Sequence, residues 1–220
     1  MLRLASSSPR RIQLLRLLQV PFESTAPNVD ESHHAAPARA KAEALARAGE
    51  VTLAADTQIE LDGERMGKPA DESHAVAVLA TLSGREHEVR TEVAVIAANG
   101  ARRHFAVRTR VALRELSLRQ IERYVGTGEP LDKAGGYAIQ GEGGRLVESY
   151  DGCLANVVGL PLCHLYFALR HAGIVPRARP EVECQEHFEF ACPVWRSAQR
   201  QGRALRDGAE YRSWSEDVSD

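Results

Sequence analysis

The 220-residue chain predicts an α/β or α+β fold, because strand-like and helix-like patterns are mixed from Leu2 to Gly173. Three observations carry this. The chain opens on a strand, a loop and a helix; an apolar run around residue 55 is interrupted by one aspartate; and two β-rich runs flank Asn99-Gly100. With 44% hydrophobic residues, a chain of this length can bury a real core.

Leu2 to Ala5 reads as a short strand. Ser8 then serves as N-cap and Pro9 as the first helical residue, with Ile12, Leu14, Leu15 and Leu18 on the apolar face. Val51 to Ala55 and Gln58 to Leu61 read as strand, running into a turn at Asp62-Gly63. Asp71 can cap a helix carrying Val76, Val78, Leu79 and Leu82, which Gly84 ends. Glu88 to Ala98 and Arg103 to Leu113 form a strand pair, the second alternating Phe105, Val107, Thr109, Val111 and Leu113. Ser117 caps a short helix to Val125. From Gly126 to Gly144 there are seven glycines, a density typical of a functional loop. Leu146 to Tyr150 returns as a strand, and a helix from Pro161 through Leu169 is terminated by Gly173. We read residues 1–175 as one domain and 176–220 as an appendage, which Phe188, Phe190, Trp195 and Trp214 could dock, with a mobile serine- and acid-rich end.

A formal net charge of −2 gives no reason to expect a broad nucleic-acid or anionic-membrane surface, so any anion site must be local. No apolar run approaches the roughly 18 residues of a membrane span, and the N-terminus lacks a signal-peptide pattern. The expectation is a cytoplasmic protein. Cys153, Cys163, Cys184 and Cys192 contain no CxxC pair and read as reduced structural thiols. Cys184-x2-His187-x4-Cys192 offers three zinc ligands without an obvious fourth.

Arg10 and Arg11 stand at the positive end of a helix dipole, an arrangement that asks for an anion. Taken alone, solvated surface charge accounts for the pair equally well. Asp56 emerges at or near the end of a buried strand, where a carboxylate needs a metal, a lysine or a phosphate-bound water, unless it merely caps a turn. Lys41, Lys68 and Lys133 are the chain's three lysines against 25 arginines, and the last two stand in glycine-containing loop contexts suited to polyphosphate oxygens. Asp30 and Glu31 could ligate Mg2+ or Mn2+ with Asp56, or simply face solvent.

These motifs occur in a recognisable order: Leu4-Ala5-Ser6-Ser7-Ser8-Pro9-Arg10-Arg11, Val29-Asp30-Glu31, Lys41-Ala42, Ala55-Asp56-Thr57, Gly67-Lys68-Pro69, Leu82-Ser83-Gly84, Glu129 to Tyr137, Ile139-Gln140-Gly141 and Val158 to Leu162. Over residues 2–173 the chain resembles the Maf family of nucleoside triphosphate pyrophosphatases. The resemblance implies an elongated α/β fold with a central cleft, related in shape to the inosine triphosphate pyrophosphatases. It implies cleavage of the α–β phosphate bond, giving monophosphate and pyrophosphate with a divalent cation, Mg2+ or Mn2+. Matched motif to motif, Asp56 would activate water and hold metal with Glu31; Ser6, Arg10, Arg11, Lys41, Lys68 and Lys133 would hold phosphates. The branch resembled acts on dTTP and UTP, with a house-cleaning role; Arg10, Thr57 and Gln140 fall at its specificity positions. Gln140, both donor and acceptor, suits a pyrimidine's imide edge.

Nine residues separate Glu31 from Lys41, about half the family's interval, so the helix before Lys41 is expected to be cut short. His33 and His34 stand there, as an exposed turn or a metal site, while Gln58 and Cys153 replace apolar or aromatic residues. A catalytically impaired nucleotide-binding regulator and a nucleotidyltransferase are the competing readings. The oligomeric state is open, a homodimer included.

Overall fold

Period-two alternation over three long runs builds the centre of the molecule. β3 (Val51–Leu61), β5 (Glu86–Ile96) and β6 (Arg102–Leu113) pair antiparallel in that order, Asp56 lying opposite Glu92 and Glu92 opposite Ala106. The computed structural model describes residues 1–29 and 35–214. Asp30, Glu31, His33 and His34 therefore lie outside the described residues, as do residues 215–220.

β1 (Leu2–Ala5) runs parallel to both β2 (Phe22–Thr25) and β3, and β7 (Val147–Asp151) closes on the far side, giving the order β2-β1-β3-β5-β6-β7. The outer edge of β3 is shared. β1 takes Val51–Leu53, whereas β4 (Glu64–Met66) takes Ile59–Leu61. No described strand pairs with residues 54–58 on that edge, and the sheet is split there. Asp56 thus stands in mid-strand rather than at a strand end, because β5 continues the pairing of β3 as far as Glu60.

Alternation along β3 assigns its odd residues to one face. Val51, Leu53 and Ala55 enter a core with Leu14 and Leu15 of α1 (Pro9–Arg16) and Leu165 and Leu169 of α6 (Leu162–His171). Ile59 and Leu61 enter a second core with Leu79 and Leu82 of α3 (Glu72–Leu82) and Ile121 of α4 (Leu118–Val125). Asp71 caps α3 by accepting the His74 amide at 2.7 Å. Thr57 falls between the two cores. On the opposite face Ala54 packs with Ala38 and Ala42 of α2 (Pro37–Leu45), the shortened helix that the Glu31–Lys41 spacing predicts.

After α5 (Leu154–Val158) and α6 the chain forms α7 (Pro180–Phe188), α8 (Trp195–Arg203) and β8 (Ala209–Arg212). β8 runs parallel to β6 along Phe105–Arg108, on the same edge that β7 joins at Arg110. Glu210 pairs with Arg90 at 2.8 Å and Arg108 at 3.0 Å, and the Trp214 ring lies 4.1 Å from the Arg110 guanidinium. At Gly152, φ is +133° and a Cβ would lie 2.0 Å from the Ser213 carbonyl. The C-terminal backbone therefore passes over a position that only glycine can occupy.

The four cysteines are free thiols and line one small apolar pocket between α6, α7 and α8. Burial pushes the Cys184 thiol up to about 12, so these sulfurs are protonated near neutral pH. The His187 ring packs edge-on against Phe188, and among the described residues no group of three His, Cys, Asp or Glu side chains is placed to hold a metal.

Candidate active site

The split in the sheet opens into a cavity of about 600 Å³, a size that accommodates a nucleotide. Ser6, Arg10, Arg11, Lys41, Asp56, Thr57, Lys68, Lys133 and Gln140 all line it. They arrive from the loop after β1, the first turn of α1, α2, mid-β3, the loop after β4 and the glycine-rich segment. Glu31 lies outside the described residues.

Pro9 presets the first helical φ of α1, so both arginines fall in its first turn without an acidic residue beside them. Arg11 donates through Nε to the Gly159 carbonyl and through Nη2 to Thr57 Oγ1, each at 3.1 Å. Thr57 Oγ1 lies 3.0 Å from Thr91 Oγ1, which donates to the Asn156 carbonyl at 2.8 Å. Each hydroxyl has one proton, so Thr57 donates to Thr91 and accepts from Arg11. Arg11 thereby ties α1 to β3 and to the end of α5. Arg10 lies close enough to Asp132 to act on its charge; burial works against ionisation there, but Lys133 and Arg10 keep that carboxyl below the ordinary range.

Gly159 adopts φ +121°, and an added Cβ would meet Thr57 Oγ1 at 3.3 Å and Arg11 Nε at 3.4 Å. Gly159→Ala is expected to lower stability by about 1–3 kcal/mol, because an L side chain is strained at this φ and crowds both groups. Urea unfolding midpoints of the two proteins check this, and equal midpoints would remove the strain argument.

Asp56 is the best-held carboxylate of the cavity. Lys41 Nζ donates to its Oδ1 at 2.8 Å, and Gln58 Nε2 donates to its Oδ2 at 3.2 Å. The Lys41 and Asp56 side chains retain only 5% and 10% of their exposure. A charge this enclosed needs its partner, and breaking such a pair costs about 3–5 kcal/mol. The partner that a buried Asp56 requires is Lys41, which the short α2 still brings within reach. Gln58 is the addition: residues 56 and 58 share a face of β3, so period-two spacing was the available signal.

Sequence reasoning also missed Glu92. It is 2% exposed, accepts the Ala38 amide at 3.1 Å through Oε2, and accepts His104 Nε2–H at 2.5 Å through Oε1. Within its own strand, nothing distinguishes it from a solvent-facing glutamate. Only the register places it beside Asp56.

A mixed sheet split over a cavity lined by three lysines, two arginines and two lysine-paired carboxylates, Asp56 and Asp132, defines a polyanion-binding α/β protein of hydrolase type. Residues 1–172 match the family model described as Maf-like protein, and the chain belongs to that family. It is 46% identical over 188 residues to a dTTP/UTP pyrophosphatase from Myxococcus xanthus, covering 79% of this chain and 93% of that one. A dTTP/UTP pyrophosphatase from Anaeromyxobacter dehalogenans is 45% identical over 190 residues, 80% of this chain and 97% of that one. A solved nucleoside-triphosphatase (dITP/XTP pyrophosphatase) from Mycobacterium abscessus aligns with TM-score 0.37 and 18% identity over 52% of this chain and 74% of that one.

Proposed function

We propose that this protein hydrolyses dTTP and UTP to the monophosphate and pyrophosphate, with a house-cleaning role toward modified pyrimidine nucleotides in the cytoplasm. The observation that carries the reading is the Lys41–Asp56 pair at 2.8 Å in the wall of a cavity lined by cations. The names of relatives at 45–46% identity support the pyrimidine assignment.

Asp56 takes the proton of the attacking water as its oxygen bonds to phosphorus. The α–β anhydride bond breaks and pyrophosphate leaves. Arg10, Arg11, Lys41, Lys68 and Lys133 hold phosphate oxygens and meet the charge on the departing group, while Ser6 and the backbone around it shape the anion pocket. Thr57 and Gln140 lie on the same cavity, where Gln140 can pair with an imide edge.

Hard oxygen donors suit Mg2+ or Mn2+, which are commonly held by one or two carboxylates together with substrate phosphates. Asp56 offers such a carboxylate to the cavity, and Glu31 is the second ligand of this proposal. The ion supplies charge neutralisation to the triphosphate.

The test is a panel of dTTP, UTP, dCTP, CTP, ATP and GTP with Mg2+ or Mn2+, measuring pyrophosphate and orthophosphate separately. Pyrophosphate from dTTP and UTP at rates about tenfold or more above the purine nucleotides is expected. A purine preference, orthophosphate release or a requirement for an acceptor molecule would overturn the assignment.

A further inference from the structure

α2 begins without a cap of its own. Ala36 at the N-cap position has no side-chain oxygen, and Pro37 has no amide proton, so the first free N–H of the helix belongs to Ala38. The Glu92 carboxylate, reaching across from β5, accepts that proton at 3.1 Å and places negative charge at the positive end of the helix dipole. One turn further along α2 stands Lys41, whose ammonium holds Asp56. Asp56 is also the register partner of Glu92, so strand pairing and helix capping converge on one pair of side chains.

Glu92 is itself held from behind. His104 Nε2 donates to its other oxygen at 2.5 Å. The His104 backbone is fastened on both sides to the segment before β8, its amide donating to Asp207 Oδ1 and its carbonyl accepting from Gly208, each at 2.7 Å. That segment lies beyond residue 172, where the family match ends.

We propose that Glu92 is a positioning residue for Lys41, acting through the first free amide of α2 to keep the ammonium on Asp56. The inference rests on the reading that Asp56 and Lys41 serve triphosphate hydrolysis. A carboxylate borrowed from the sheet does what the Ala-Pro start of the shortened helix cannot.

The test measures kcat and KM for dTTP with Mg2+, per folded molecule, in the wild type, Glu92→Met and Glu92→Gln, and again with each substitution combined with Lys41→Met. Methionine keeps the buried volume and removes the acceptor; glutamine keeps a carbonyl for the Ala38 amide. Glu92→Met is expected to lower kcat about tenfold with KM within about threefold, and Glu92→Gln to stay within about threefold of the wild-type kcat. In the Lys41→Met background the Glu92→Met effect should shrink below about twofold, because two residues acting through one contact are not additive. A wild-type kcat in Glu92→Met overturns the positioning role, as does an equal loss with and without Lys41. If the wild type itself releases no pyrophosphate from any pyrimidine triphosphate, the parent reading fails and this inference falls with it.

Discussion

Asp56→Asn is expected to remove dTTP hydrolysis, a loss on the order of 10²–10⁴-fold in kcat, while leaving triphosphate affinity within a few-fold. Asparagine keeps an oxygen that can accept from Lys41 and an outline close to that of aspartate, so the clamp seen at 2.8 Å can persist. What it loses is the ability to take a proton from water. The cations that line the cavity are untouched, and the variant carries one negative charge fewer there. Turnover measured by pyrophosphate release, together with the Kd of a non-hydrolysable dTTP analogue, separates the two effects. Unchanged turnover would remove Asp56 from the role of base, and a collapse of affinity without loss of kcat would recast it as a binding residue.

A second large effect is expected on stability in acid. Burial lowers the pKa of His87 and of His164 from about 6.5 to about 4. His87 shares a hydrogen bond of 2.7 Å with the Tyr137 hydroxyl, and His164 donates to Gln201 at 3.0 Å. Both rings are therefore neutral in the folded protein while the unfolded chain binds protons below pH 6.5. Because the folded-state values are depressed, their stabilising effect is fully present above pH 6.5 and is lost as pH falls toward 4. The loss is about 2 kcal/mol per histidine at pH 5 and about 3 kcal/mol once pH is below 4. Urea unfolding across pH 7.5 to 4.5 measures this, and the double variant His87→Gln/His164→Phe should show a much shallower slope. An identical slope in that variant would assign the acid sensitivity elsewhere.

The parts of the fold that were legible in the sequence are those whose local chemistry is complete. α1 has Pro9 at its first position, after a Ser8 whose hydroxyl makes no capping bond, α3 has Asp71 as its cap, and β6 alternates without interruption, so each reads from its own residues. β2, with the residues Phe-Glu-Ser-Thr, and β8, with Ala-Glu-Tyr-Arg, are too polar and short to stand out, and exist because a neighbouring strand offers an edge. The shortened helix is expected from the spacing, but its cap belongs to a residue 54 positions away. The cavity-lining residues were legible for a related reason, since Arg10, Arg11, Lys68 and Gln140 sit in motifs that are themselves local. Glu92 owes its role to register, which no short window displays, whereas Gln58 stands two residues from Asp56 on the same face of β3.

The pairing of β8 with β6 spans roughly a hundred residues of chain, and it occupies Phe105–Arg108 on an edge where β7 covers only the other end. Open strand edges are templates on which further chains assemble. Without β8, four residues of β6 would present bare backbone beside Phe105, which is fully buried in the folded chain. β8 therefore closes the open stretch of that edge, leaving no bare backbone at Phe105–Arg108 on which another copy could pair.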